Sequence, residues 1–121
     1  MLFSFEKLEV WHEARKFYKI IHSIISDLPN QERYVICTQL QRAALSISAN
    51  IAEGTSRKTG KDQAHFICIA FSSLMECLNY LILAEDLKYI SSERYKELRQ
   101  IMEKISNQLN ALRNFQLNKL S

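Results

Sequence analysis

QERYVICTQLQRAALSISANIAEG, residues 31–54, sets Ile36, Leu40, Ala43, Ala44, Ile47 and Ile51 at three- and four-residue steps. That is the period of one buried helix face. The stretch reads as a helix over about 31–53, and Gly54 is expected to close it as a left-handed cap. A polar stripe runs beside the apolar one. Gln39, Arg42, Ser46, Asn50 and Glu53 follow steps of three, four, four and three, so they share a side of the helix. On spacing alone this stripe is either a solvated face or a polar seam against a neighbour.

Upstream, Leu28-Pro29 marks a stop, because proline disfavours an α conformation in the residue before it. Asn30 is expected to cap the second helix. Before the stop, Trp11, Ala14, Tyr18, Ile21, Ile25 and Leu28 form the apolar stripe of a first helix, with Glu9, Glu13, Lys16 and Lys19 opposite. Downstream, Thr59-x-x-Asp62 resembles a capping box, and the helix it opens is apolar almost all round. One side suits the chain's own core; the other is expected to pack on a second subunit. Ser91-Ser92-Glu93 opens a fourth helix, in which Tyr95, Leu98, Met102, Ile105, Leu109 and Leu112 step like a coiled-coil seam.

Two glycines and one proline in 121 residues leave little room for the frequent turns of a β-architecture. The expectation is a single all-α domain over residues 1–121, an antiparallel up-down-up-down four-helix bundle with helices over about 6–26, 31–53, 61–89 and 92–117. Residues 118–121 are expected to fray. A net charge of +3 permits an acidic partner without demanding one. Cys37, Cys68 and Cys77 are odd in number and follow no paired spacing, so they read as reduced core thiols in a cytoplasmic protein. Nothing at the N-terminus resembles an export signal. Residues 66–84 are apolar, but Ser72, Ser73, Glu76 and Asn79 near their centre favour a buried helix over a membrane span.

Motifs for catalysis fail on inspection. The loop GTSRKTGK, residues 54–61, has five residues between its glycines where a phosphate-binding loop has four, and Lys61 precedes Asp62 rather than Ser or Thr. Glu9-x-x-His12 and Asp62-x-x-His65 have the spacing of di-iron bundle ligands. Glu9 and His12 lie off the apolar stripe and Asp62 and His65 fall in the capping turn, whereas such ligands project into the bundle centre. His22 stands alone, and no Ser or Cys has an evident histidine base. No catalytic residue, cofactor or metal is therefore expected. Folded up and down, the chain gathers Lys7, Arg57, Lys58, Lys61, Arg113 and Lys119 at one end, against Glu6, Glu9, Glu53 and Asp62. This end is a candidate nucleic-acid contact, or a merely solvated rim; the opposite end leans acidic.

The stretch Gln39-x-x-Arg42-Ala43-x-x-Ser46-Ile47-x-x-Asn50-Ile51-Ala52-Glu53-Gly54 resembles the signature of the four-helix-bundle family encoded in intervening sequences of 23S ribosomal RNA genes. That family is related to the accessory variability determinant of diversity-generating retroelements. Phe5-x-x-Leu8-x-Val10-Trp11 is similar to its opening motif, Pro29 to its first turn and Ala70-x-x-Ser73-x-x-Glu76 to its third-helix motif. The resemblance implies a pentameric ring and, for the retroelement relatives, binding to a reverse transcriptase and to RNA through a basic surface. Where relatives often carry Arg-Gly in the third-helix motif, this chain has Phe71-Ser72 and lacks that charge.

The resemblance turns the polar stripe into an expectation. Arg42 and Glu76 should meet across neighbouring helices, with Gln39, Ser46, Asn50, Glu53 and Ser73 completing a buried network that fixes helix register or subunit packing. On that basis Arg42→Ala should cost on the order of 3–5 kcal/mol. The functional expectation is a non-enzymatic homo-oligomeric scaffold, pentameric by resemblance, whose basic end contacts RNA or a nucleic-acid-processing protein, and no membrane. The rivals are a purely structural assembly, a protein–protein adaptor and a di-metal carboxylate enzyme.

Overall fold

Four helices carry the chain in the computed structural model, which describes residues 1–119: α1 (Glu9–Asp27), α2 (Ile36–Thr55), α3 (Gly60–Asp86) and α4 (Ser92–Leu117). Short 3-10 turns over Ser4–Lys7 and Asn30–Glu32 precede α1 and α2. Leu120 and Ser121, half of the stretch expected to fray, lie outside the described residues. The other half stays tied to its helix, as Asn118 N donates to Asn114 O at 3.2 Å and Lys119 N to Gln116 O at 3.3 Å.

Contacts between elements accord with an up-down course. Gln41 Nε2 donates to Tyr18 OH at 3.1 Å between α2 and α1, and Ser73 Oγ donates to Ser46 Oγ at 2.7 Å between α3 and α2. The Lys119 Nζ donates to Gln63 Oε1 at 2.9 Å, joining the end of α4 to the start of α3. Lys104 Nζ reaches Glu13 at 3.3 Å and Glu9 at 3.7 Å, closing α4 on α1. The α2–α3 contact is the most extensive and α1–α4 the thinnest of the four. Phe17, Ile21, Leu40, Ile47, Ile51, Leu74, Leu81, Leu98, Ile105 and Leu109 are fully buried between them.

Several local expectations are corrected. Leu8 is extended (φ −87°, ψ 125°), so α1 starts at Glu9 rather than near residue 6. Its stripe is turned slightly from the expected one. Val10, Phe17 and Ile24 are buried with Ala14, Ile21 and Leu28, while Trp11, Tyr18 and Ile25 are only half-buried. Asn30 opens the 3-10 turn and does not cap α2, which begins only after Val35 (φ −120°, ψ −94°). Gly54 is no left-handed cap: α2 runs through it to Thr55, and no glycine has positive φ. Its role is closeness, since a Cβ there would lie 3.1 Å from Phe66 Cβ and 3.3 Å from Gln63 O.

The third helix stops at Asp86, three residues early, because the chain turns through a left-handed Lys88 (φ 63°). Tyr89 N donates to Ala84 O and Lys88 N to Glu85 O, both at 2.9 Å, which is the bonding of a Schellman ending. Its start follows expectation, with Thr59 Oγ1 accepting from Asp62 N at 3.1 Å. In α4, Ser91 Oγ accepts from Arg94 N in the same way. By length and composition α3 is apolar enough to cross a membrane, but it packs between α2 and α4 and carries the buried Ser73 inward.

Candidate functional site

The antiparallel course sets the six cations of the candidate interface as follows. Lys7 closes the N-terminal 3-10 turn, Arg57 and Lys58 lie in the loop between α2 and α3, Lys61 is in the first turn of α3, and Arg113 and Lys119 lie toward and just past the end of α4. All six are exposed. Two are engaged within the chain. Arg57 Nη2 pairs with Glu53 Oε1 at 3.1 Å and its guanidinium lies 4.5 Å from the Phe66 ring centroid. Lys119 holds Gln63 and its Nζ lies 5.1 Å from the Phe115 centroid. Lys7, Lys58, Lys61 and Arg113 have no ion pair among the described residues. Arg113 stands apart on the flank, lining a groove between α3 and α4 with Cys68, Phe71 and Ser72.

Sequence reasoning missed the apolar side chains at this end. Phe3 is 62% exposed and Phe115 63%, with Leu2 and Leu117 also exposed. The signal was present in the period of α4: after Leu98, Met102, Ile105, Leu109 and Leu112, the next inward slot is residue 116. Gln116 fills it and is buried, which turns Phe115 and Leu117 outward.

The polar network is smaller than expected and divides into two parts. Ser46, Asn50 and Ser73 form the inner part: Ser73 donates to Ser46 Oγ, and Asn50 Nδ2 donates to Ser46 Oγ at 2.9 Å and to Ser46 O at 2.8 Å. Each such bond is worth about 1 kcal/mol net; the Ser73–Ser46 bond crosses from α3 to α2, and the two from Asn50 stay within α2. Gln39, Arg42, Glu53 and Glu76 are exposed, and among the described residues no ion pair joins Arg42 to Glu76. The expected buried Arg42–Glu76 pair is therefore not formed within the chain. Both residues sit on the outer surfaces of their helices, about one turn from the inward-facing serines, and long side chains there keep their charged heads in water.

The remaining chemistry-bearing residues are dispersed. Glu9 is exposed beside Lys104, and His12 donates from Nε2 to Glu6 O at 2.6 Å, which assigns that nitrogen its proton. Asp62, His65 and His22 are exposed. Among the described residues no three His, Cys, Asp or Glu side chains converge. Cys37 and Cys77 are buried as expected, but Cys68 faces outward. Burial, aided by the Glu76 charge, pushes the Cys77 thiol up to about 12. Burial and then Glu32 raise that of Cys37.

An all-α arrangement of four helices, with an extensive α2–α3 contact, defines the class. The sequence profile of the 23S rRNA-intervening sequence protein family matches residues 6–111, and the chain belongs to that family. Among solved structures it is similar to a protein of unknown function from the S23 ribosomal protein family of Bacteroides thetaiotaomicron. The two share 25% identity with a TM-score of 0.79 over 85% of this chain and 96% of the other. No curated protein matches the chain.

Proposed function

We propose that this protein is a non-enzymatic cytoplasmic scaffold that assembles with copies of itself, five by the family resemblance, and contacts RNA or a nucleic-acid-processing protein through its basic end. The outer face of α2 and α3 carries the reading. Leu45 is 48% exposed and Leu83 41%, with Met75 and Ile82 close behind. Along α3 the exposed positions His65, Cys68, Ser72, Met75, Asn79 and Ile82 alternate steps of three and four, the spacing of a helix-to-helix seam. A second copy would cover that seam, and the uncommitted Arg42 and Glu76 beside it would gain partners across the interface. Repeating one weak cationic patch around a ring raises its avidity for a polyanion.

A purely structural assembly is the second reading. It is favoured by the contacts that already hold Arg57 and Lys119 within the chain. Light scattering on the full chain, at low and high salt with and without a structured RNA, separates the two. The expected result is a multimer that gains mass with RNA at low salt only. Met75→Lys should dissociate it into folded subunits. Arg42→Ala should weaken assembly while changing the fold stability of the dissociated subunit by less than about 1 kcal/mol, as for other exposed charges. A wild-type monomer refutes the scaffold, and a multimer blind to RNA leaves the structural reading.

A further inference from the structure

We infer that the cleft between the N-terminal 3-10 turn and the meeting ends of α3 and α4 seats one unpaired nucleobase of single-stranded RNA, stacked on Phe115 with its edge met by Gln116. The inference rests on the RNA-contacting reading of the basic end and specifies what that end recognises.

The cleft has a volume of about 220 Å³, room for one planar heterocycle and not for a paired duplex. Its wall includes Ser4, Gln63, Phe115, Gln116 and Lys119. Gly60 makes it possible, because the missing side chain lets the last turn of α4 lie directly on the start of α3. Gln116 is only 3% exposed, yet among the described residues its Oε1 accepts no hydrogen bond. A carboxamide so placed is unusual, because buried polar groups are nearly always partnered. Its last torsion is soft and roughly two-fold, so a half-turn about it exchanges the oxygen for the amide hydrogens at a base edge. Glutamine is suited to that task, pairing an acceptor and a donor in one plane.

Phe115 supplies the stacking surface. It stays 63% exposed although Lys119 lies 5.1 Å from its centroid, so ring surface remains for a base. Phe3, 62% exposed and adjacent to Ser4 of the cleft wall, is placed for a neighbouring base. Lys58 and Lys61, exposed and without an ion pair among the described residues, are the cations available to the phosphates on either side. Aromatic platforms set among cations are how sequence-tolerant single-strand binders work. A lipid surface would make use of the cations and phenylalanines but leave the carboxamide without a partner. A duplex would keep its base edges paired and its rings out of reach.

The test is fluorescence anisotropy of the full chain with an unstructured RNA of about twelve nucleotides, the matching RNA duplex, polyphosphate, and anionic phosphatidylserine vesicles. Phe115→Ala should weaken single-strand binding about tenfold with the salt dependence unchanged, and leave duplex and polyphosphate binding within about twofold. Gln116→Met, which keeps the volume and removes the amide, should weaken the single strand alone. Circular dichroism confirms that each variant folds. Equal losses on every polyanion, no loss on any, a preference for duplex, or Phe115-dependent vesicle binding that exceeds RNA binding would each overturn the cleft while sparing the basic end. Failure of wild type to bind any polyanion would overturn the RNA reading itself, and the cleft with it.

Discussion

Both glycines of the chain sit where two helices meet closely, and Gly60→Ala is the sharper perturbation. An added Cβ at Gly60 would overlap the Gln116 carbonyl oxygen, lie 3.1 Å from its carbonyl carbon and meet Lys119 Cβ at 3.4 Å. The obstacle is backbone, so no rotamer change relieves it, and the end of α4 must lift from α3. Overpacking of this kind costs about 1–3 kcal/mol, occasionally more. Against that, alanine returns at most ~1 kcal/mol through helix propensity. The net expectation is a loss of about 1–2 kcal/mol, or roughly 3–10 °C in Tm for a chain of this length. At Gly54 the same Cβ meets Phe66 Cβ at 3.1 Å and Gln63 O at 3.3 Å, a squeeze of tenths of an ångström, so Gly54→Ala should stay within about 1 kcal/mol of wild type. Urea unfolding followed by circular dichroism, at several protein concentrations to separate assembly from folding, measures both. Gly60→Ala as stable as wild type, or less damaging than Gly54→Ala, would refute the close seating of α4 on α3.

Lys88 is the one described non-glycine residue with positive φ, and Lys88→Gly should relieve about 1 kcal/mol of left-handed strain, raising Tm by a few degrees in a thermal melt. A fall in Tm would mean that the Schellman ending of α3 is not formed. Of the three thiols, Cys68 should react with Ellman's reagent in the folded protein at neutral pH, while Cys77 and Cys37 wait for unfolding. Cys77 also gives a sign for pH dependence. Its folded pKa lies above the unfolded value, so its contribution is complete below about pH 9 and is lost as pH rises toward about 12. Cys77→Ser should flatten that part of an alkaline stability curve, and an unchanged slope would count against the burial of the thiol.

The helices were legible where apolar residues repeat at helical steps, and the stripes of α2 and α4 are buried at every position but the ends, where Tyr95 and Leu112 are half-exposed. Boundaries were less legible for a physical reason. The expected ends rested on single residues, and tertiary seating decided them instead. Gly54 was read for its conformational freedom, but it serves to bring α2 against α3. Lys88 takes the left-handed position that a sequence reading assigns to glycine or asparagine. The drift of the α1 stripe from Trp11 and Tyr18 to Val10 and Phe17 reflects a buried face shifted by a fraction of a turn, which places the large polar-tipped aromatics at its margin. The chain positions of the candidate cations could be read from the order of the helices, although Arg113 stands on the flank. Phe115 and Gln116 could not, because a charge inventory passes over an apolar residue outside and an amide inside.

The division of the α2 stripe bears on what the stripe does. Ser46 meets Ser73 of α3, with Asn50 bonded to Ser46 from within α2, and Gly54 brings the end of α2 close to Gln63 and Phe66 of α3. Gln39, Arg42 and Glu53, from the same stripe, stay in water with Glu76 opposite. A network serving only to hold helix register would bury its charged members, because a charge pair left in solvent contributes at most about 1 kcal/mol. Among the described residues, the side-chain bond that crosses from α3 to α2 is the uncharged Ser73–Ser46 pair. In the proposed assembly, Arg42 and Glu76, near Leu45 and Met75 in sequence and without an ion pair among the described residues, would select the copy that covers the apolar seam. Desolvated there, a charge left without its mate costs far more than it does in solvent, so such pairs discriminate between correct and incorrect docking.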